Sequence, residues 1–258
     1  MDTQFIEEYW KKALCPLRRK HLSRNLPEPE MPYEGSRTEF ERDHDRILFS
    51  TPFRRLIDKV GLGPDDQLFL LGDYIHKGPD SKGVIDQILS LMERGYQVYP
   101  LRGNHEQMLL DHHLLHKKRD YEYVLLGLSS RKPLLDAQRM ILPQYRDFFA
   151  HLPYYYELDG YYLCHAGIDC LSPRPFQDFK AMLWQHEFSL ISEVVNHKKV
   201  VYGHVPQQMS QIKQRLAADH PKICLDGGAV YPKRPGMGNL ICFDLDARTI
   251  TAMPNFES

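Results

Sequence analysis

The sequence has no Cys-x-x-Cys pair, no long apolar run and no excess of charge of one sign. Its five cysteines, Cys15, Cys164, Cys170, Cys224 and Cys242, are odd in number and scattered. That argues against a disulfide framework or a zinc knuckle and reads as reduced thiols in a cytoplasmic protein. The longest apolar runs, such as Leu68 to Leu71, are strand-sized and too short to cross a bilayer. Phe5 to Lys12 is amphipathic and charged, with no apolar core of the kind a signal peptide needs. Lys and Arg number 33 against 34 Asp and Glu, for a formal net charge of −1. Such a balance gives no general pull toward nucleic acid or an acidic membrane, and neither is expected as a partner.

What is present suffices for one large domain or two small ones: 258 residues, 42% of them hydrophobic. Residues 1–59 are rich in charge. They include the stretch Leu26-Pro-Glu-Pro-Glu-Met-Pro32, which reads as an extended linker. From Ser36 to Lys59 apolar residues recur at helical spacing, and Pro52 is placed to start a second helix. From Gly61 onward the rhythm is α/β. Strands are expected at Gln67–Leu71, Gln97–Leu101, Lys199–Tyr202, Lys222–Leu225, Asn239–Phe243 and Thr249–Ala252. Tyr154–Leu158 and Tyr161–His165 flank Asp159-Gly160, a hairpin signal. Helices are expected at Ser81–Arg94, His105–Arg119, Tyr121–Leu128, Leu134–Ile141 and Gln144–Leu152.

Five short motifs fall at the ends of expected strands: Leu71-Gly-Asp73, Arg102-Gly-Asn-His-Glu106, Cys164-His165-Ala-Gly167, Tyr202-Gly-His204 and Leu225-Asp226-Gly-Gly228. Ligands of α/β sheets gather beyond the carboxyl ends of strands. Each motif joins a glycine, which lets the backbone turn sharply, to an oxygen or nitrogen metal ligand. The set Asp73, Asn104, His165 and His204 contains no thiolate and suits manganese, iron or zinc, as one or two ions. Asp73 is the natural bridging carboxylate of a two-ion centre. Read singly, the same residues are ordinary: His165 as a core histidine, Asn104 as a turn residue, His105 as a helix cap, Asp226 as a strand-turn cap. The histidines at 112, 113 and 116 read as a polar helix face.

Leu71-Gly-Asp-Tyr-Ile-His-Lys-Gly-Pro-Asp-Ser81, Gly103-Asn-His-Glu106, His165-Ala-Gly167, Gly203-His204 and Asp226-Gly-Gly-Ala-Val-Tyr231 resemble, in order, signatures of the calcineurin-like metallophosphoesterases. The style is that of the bacterial serine/threonine phosphoprotein phosphatases, and the resemblance covers residues 60–253. It implies an α/β fold with a central β-sandwich flanked by helices. It implies metal-dependent hydrolysis of a phosphoprotein or small phosphoester. Asp73, Asn104, His165 and His204 would hold metal, His105 would protonate the leaving group, and Lys77 would bind phosphate in place of the family's usual arginine.

The chain departs from that pattern at three places. The family's first strand ends in an Asp-x-His-Gly signature that supplies the first metal. At the matching distance before Asp73 this chain has only Asp45, in a charged helical stretch. Residues 1–58, with Ser36-Arg-Thr-Glu-Phe40 and Phe49-Ser-Thr-Pro-Phe53, instead resemble the N-terminal segment of HD-domain deoxynucleoside triphosphate triphosphohydrolases, without that family's metal motifs. A division is therefore expected between a helical segment 1–59 of different origin and a metallophosphoesterase domain 60–258. The first motif-bearing strand would be missing, its slot empty, left as an edge or filled by something else. Residues 1–35 would pack loosely. His76 stands where the family has an aspartate that orients the acid histidine, and His186 stands near the position of a phosphate-clamping arginine. A catalytically degenerate, partner-binding phosphatase body is the alternative function, and a nucleotide triphosphohydrolase a more distant one.

Overall fold

The computed structural model describes residues 17–19, 52–76, 80–115, 134–136 and 140–255. They form two β-sheets packed face to face, with helices and long loops on the outer faces. In chain order the strands are β1 (Leu17–Arg19), β2 (Gln67–Leu70), β3 (Gln97–Pro100), β4 (Tyr155–Leu158), β5 (Tyr161–Cys164), β6 (Lys199–Tyr202), β7 (Lys222–Cys224), β8 (Asn239–Asp244) and β9 (Thr249–Pro254). The first sheet has the order β3-β2-β1-β8-β9 and the second β4-β5-β6-β7. The α-helices are α1 (Pro52–Val60), α2 (Ser81–Glu93), α3 (Asn104–Leu115), α4 (Pro143–His151), α5 (Phe179–Trp184) and α6 (Met209–Ala217).

The two-residue period of the strands sorts side chains into three apolar layers. Phe69, Tyr99, Leu163, Val201, Ile223, Ile241 and Phe243 point between the sheets and form the sandwich core. Their neighbours Leu68, Leu70 and Val98 point the other way, against Ile57 of α1, Ile85 and Ile88 of α2 and Phe148 of α4. Tyr162, Cys164, Val200, Tyr202 and Cys224 cover the second sheet's outer face beneath Ile168, Phe188 and Val195. Because β2, β3, β5, β6 and β7 are buried on both faces, each reads as a nearly continuous apolar run. Parallel pairing of β2 with β3, and of β5 with β6 with β7, brings their carboxyl ends to one side. The motif loops therefore meet there.

Three features differ from the sequence reading. Leu134–Ile141 is not helical where it is described. Leu135 and Ile141 form an antiparallel bridge, closed by Asp136 N to Met140 O at 2.9 Å. Its apolar residues follow helical spacing, yet Leu134 and Ile141 bury themselves through that bridge, so tertiary packing decides the backbone. Helices α5 and α6 were not foreseen; Asp178 caps α5 by accepting from Ala181 N, and a Gln208/Gln211 capping box opens α6. Finally, Leu17–Arg19, expected to pack loosely, is a central strand between β2 and β8, antiparallel to the first and parallel to the second. The helix starting at Pro52 is present as expected. The remaining expectations for residues 1–51, including Asp45 and the HD-type resemblance, lie outside the described residues, as does the helix expected at Tyr121–Leu128.

Candidate metal centre

Asp73 leaves the end of β2 through Gly72, which has φ +90°, and itself adopts φ 60°. The backbone of Gly72 lies against that of Gly103 so closely that a Cβ on either glycine would collide with the other loop; at Gly103 it would sit on Asp73's backbone nitrogen and Oδ1. Two motif loops can approach this closely only because both carry glycine. Glu106, fully buried in the first turn of α3, fixes the approach. Its Oε2 accepts from Asp73 N and Gly103 N, both at 2.9 Å, and its Oε1 accepts from Tyr74 N at 2.8 Å. Burial, reinforced by the Asp73 carboxylate, pushes Glu106 up to about 7. The Tyr74 hydroxyl completes the brace, reaching Leu101 O at 2.8 Å and Leu70 O at 3.1 Å.

His165, at the end of β5, is buried. Its Nδ1 lies 2.6 Å from Leu71 O, so Nδ1 carries the proton and Nε2 keeps its lone pair. That Nε2 faces three further ligand atoms: Asn104 Oδ1 at 3.0 Å, His204 Nδ1 at 3.1 Å and Asp73 Oδ1 at 3.4 Å. His204 follows β6 with φ 66°. Asp73, His165 and His204 each offer one ligand atom, all within 4.8 Å of one another. Among the described residues no other group of three His, Cys, Asp or Glu side chains is so arranged. Asp73, His165 and His204 thus converge, and Asn104 Oδ1 joins them beside His165 Nε2. Two imidazoles, a carboxylate and an amide oxygen, with no thiolate, form a donor set for a borderline divalent cation.

His105 opens the first turn of α3 beside this cluster. Its Nε2 is 3.6 Å from Asp73 Oδ2, and its Nδ1 is 2.7 Å from His76 Nδ1. Two facing nitrogens at that distance share one proton, so one ring donates and the other accepts. His76 does contact the acid candidate, at a strained φ of 85°. Positive φ at Asp73, His76 and His204 concentrates backbone strain in these loops. Lys77 lies outside the described residues. Asp226 acts as the cap read for it: Oδ1 accepts from Gly228 N at 2.9 Å. His186 is exposed, with its ring edge-on to His204 at 5.0 Å. The bracing role of Glu106 and Tyr74 was not read from sequence. A carboxylate two residues after a ligand in a glycine turn was the available signal.

Arg102, buried at the exit of β3, ties the centre to its scaffold. It donates to Gln107 Oε1 at 2.8 Å, to Tyr154 OH at 2.9 Å and to the α4 carbonyls Phe149 O and Ala150 O at 3.2 and 2.8 Å. The guanidinium satisfies carbonyls at a helix carboxyl end, where positive charge is favoured.

Comparisons with known proteins identify the family. The family model for calcineurin-like phosphoesterases matches residues 50–248. A symmetrical bis(5'-nucleosyl)-tetraphosphatase of Thioalkalivibrio sulfidiphilus is 28% identical over 174 residues, 65% of this chain and 58% of that protein. One from Acidovorax sp. is 42% identical over 59 residues, 22% of this chain and 20% of that protein. The chain thus spans between about a fifth and three fifths of these relatives. A solved structure described as a candidate diadenosine tetraphosphatase aligns with TM-score 0.53 at 20% identity, covering 80% of this chain and 88% of that one, a likeness of fold. Two packed sheets with helices outside, motif loops meeting at one end and a match over most of the length place this chain in the calcineurin-like phosphoesterase family.

Proposed function

We propose that the chain hydrolyses phosphoesters with a divalent ion held by Asp73, Asn104, His165 and His204. Manganese is the first choice, with iron or zinc as alternatives. One observation carries the reading: His165 Nε2, left as an acceptor by the hydrogen bond to Leu71 O, faces a carboxylate, an amide oxygen and a second imidazole. Lone pairs converge in this way around a cation. When bound, such an ion offsets phosphate charge and lowers the pKa of a coordinated water toward about 7. Asp73, held by Glu106 through its backbone, keeps the centre's geometry. His105 protonates the leaving oxygen, and the shared proton with His76 fixes its ring in place of the family's carboxylate. Lys77, next to His76 in sequence, contacts phosphate.

The relatives' names favour dinucleoside polyphosphates among the substrates, with phosphoproteins and small phosphomonoesters as the other candidates. One or two ions are proposed; a second would need ligands beyond these four, for which Asp45, outside the described residues, is the candidate. Residues 1–59 are read as a segment distinct from the hydrolase body, although the family match already begins at residue 50. No helix among the described residues is long and apolar enough to cross a membrane.

Manganese-dependent release of p-nitrophenol from its phosphate ester tests the reading. Loss of general acid catalysis in His105→Ala is expected to slow turnover by about 100-fold or more. A wild-type rate no higher than that of His105→Ala, with metal in excess, would leave the degenerate, partner-binding alternative standing.

A further inference from the structure

Helix α5 lies against the loop that carries His165. Ala166 N, next to that ligand, donates to Met182 O at 2.8 Å, and Met182 and Leu183 are buried. Gln185 N closes the last turn on Ala181 O at 3.0 Å, and Gln185 itself is extended, with ψ 123°. A little further on, the buried Phe188 ring sits so close to Gly167 that a Cβ there would collide with it. Residues 184–186 are thus pinned at both ends beside the candidate metal centre. Held there, Trp184 does not bury its ring. It is 40% exposed, and it is the only aromatic ring among the exposed large hydrophobic side chains of the described residues. Its ring centroid lies 6.5 Å from that of His204, at an interplanar angle of 83°. The extended Gln185 sends His186 to the same side. That ring, also exposed, stands 5.0 Å from His204 at 84°.

We propose that Trp184 is a stacking platform for the base of a nucleoside phosphate whose phosphates face the metal centre. The inference rests on the phosphoesterase reading and names the residue that gives it a preference for nucleotides. An indole is among the largest apolar surfaces a side chain can bury, and leaving it open forfeits that gain. Here it stays open beside His204, one of the cation-binding donors, with a second ring at the same rim. Such a rim suits a ligand that is anionic at one end and flat at the other. Among flat groups the open geometry favours a nucleobase. A base stacked on an exposed ring keeps its edge nitrogens and exocyclic groups in water, so no donor or acceptor is buried without a partner. An apolar aryl group has no polar edge to keep wet and gains more from full enclosure than from one open face. Every base presents a π face, so stacking of this kind is tolerant of base identity.

Calorimetric titration of the full chain, with manganese at one saturating concentration in cell and syringe, tests the proposal. The probes are ADP, GDP and ribose 5-diphosphate, which lacks only the base. ADP is expected to bind at least about fivefold tighter than ribose 5-diphosphate, the low end for a base stacked on an aromatic side chain, with GDP within about threefold of ADP. Trp184→Ala is expected to weaken ADP at least about fivefold and ribose 5-diphosphate less than about twofold, and Trp184→Phe to bring ADP back within about threefold of the wild type. Equal wild-type affinity for ADP and ribose 5-diphosphate overturns the proposal, whether or not the variants fold. So does a folded Trp184→Ala chain that loses both ligands equally, or neither. If the wild type turns over p-nitrophenyl phosphate with manganese but shows no base-dependent affinity, the platform falls and the phosphoesterase reading stands. Base-dependent affinity that Trp184→Ala removes, in a chain without manganese-dependent turnover, has the opposite meaning.

Discussion

Replacing Glu106 by Gln changes one atom of a fully buried side chain, and its consequence follows from three hydrogen bonds. Both carboxylate oxygens are acceptors: Oε2 takes Asp73 N and Gly103 N, and Oε1 takes Tyr74 N. Glutamine has one acceptor oxygen. Placed at the Oε2 position, it keeps two bonds and turns its NH₂ against Tyr74 N; placed at Oε1, it loses two. In either orientation at least one buried backbone donor faces another donor. A buried group left unsatisfied costs about 1–3 kcal/mol, and the retained bonds lose the strengthening that charge gives them. The turn that aims Asp73 would shift, and groups orienting metal ligands typically contribute about 10–100-fold to metal affinity. Calorimetric titration with manganese should therefore give a Kd raised by about that factor, and thermal unfolding of the metal-free variant should show a lower midpoint at pH 7.5. Unchanged manganese affinity would mean that Glu106 does not brace the centre.

Other outcomes follow from the same structure. Gly103→Ala places a methyl group on Asp73's backbone nitrogen and Oδ1; metal binding by calorimetry should be abolished, and retained stoichiometry would contradict the loop contact. Tyr145→Phe removes the 2.7 Å hydrogen bond to Asp86, which also pairs with Lys82; denaturant unfolding should show a loss of about 1.5–3 kcal/mol, as for other bonds to charged groups. Glu106 sits at about 7 when folded, against 4.5 for the free side chain. The folded state then holds the extra proton between those values, so stability of the metal-free protein falls as pH rises through that window. Glu106→Gln should remove this part of the slope, and identical pH profiles would refute the assignment. A bound cation favours the carboxylate, so manganese should raise the unfolding temperature more at pH 7.5 than at pH 5.5.

Much of the sandwich was legible because its strands are short and buried on both faces. Gln67–Leu70 and Lys199–Tyr202 appear as apolar runs whose boundaries glycine and aspartate mark. Asp73, Asn104, His165 and His204 were legible as a set because each follows such a strand, and parallel pairing carries them to one side. What escaped depends on contacts that local pattern does not encode. Leu134 and Ile141 have helical spacing but bury themselves through a bridge. Helix α5 holds only Phe179–Trp184, too short for a periodic signal. Leu17–Arg19 is a strand because β2 and β8 offer it ladders on both sides, although its own sequence is basic. Glu106 could be placed at the motif, but its three bonds run to backbone groups whose approach requires both glycine loops to be folded.

The most direct measurement is anomalous X-ray scattering from crystals grown with manganese. The account expects a peak at bonding distance, about 2.0–2.3 Å, from an oxygen of Asp73, Asn104 Oδ1, His165 Nε2 and a ring nitrogen of His204, and its loss in His165→Ala. Crystals of the wild-type chain with no anomalous peak among these four side chains at saturating manganese would contradict it.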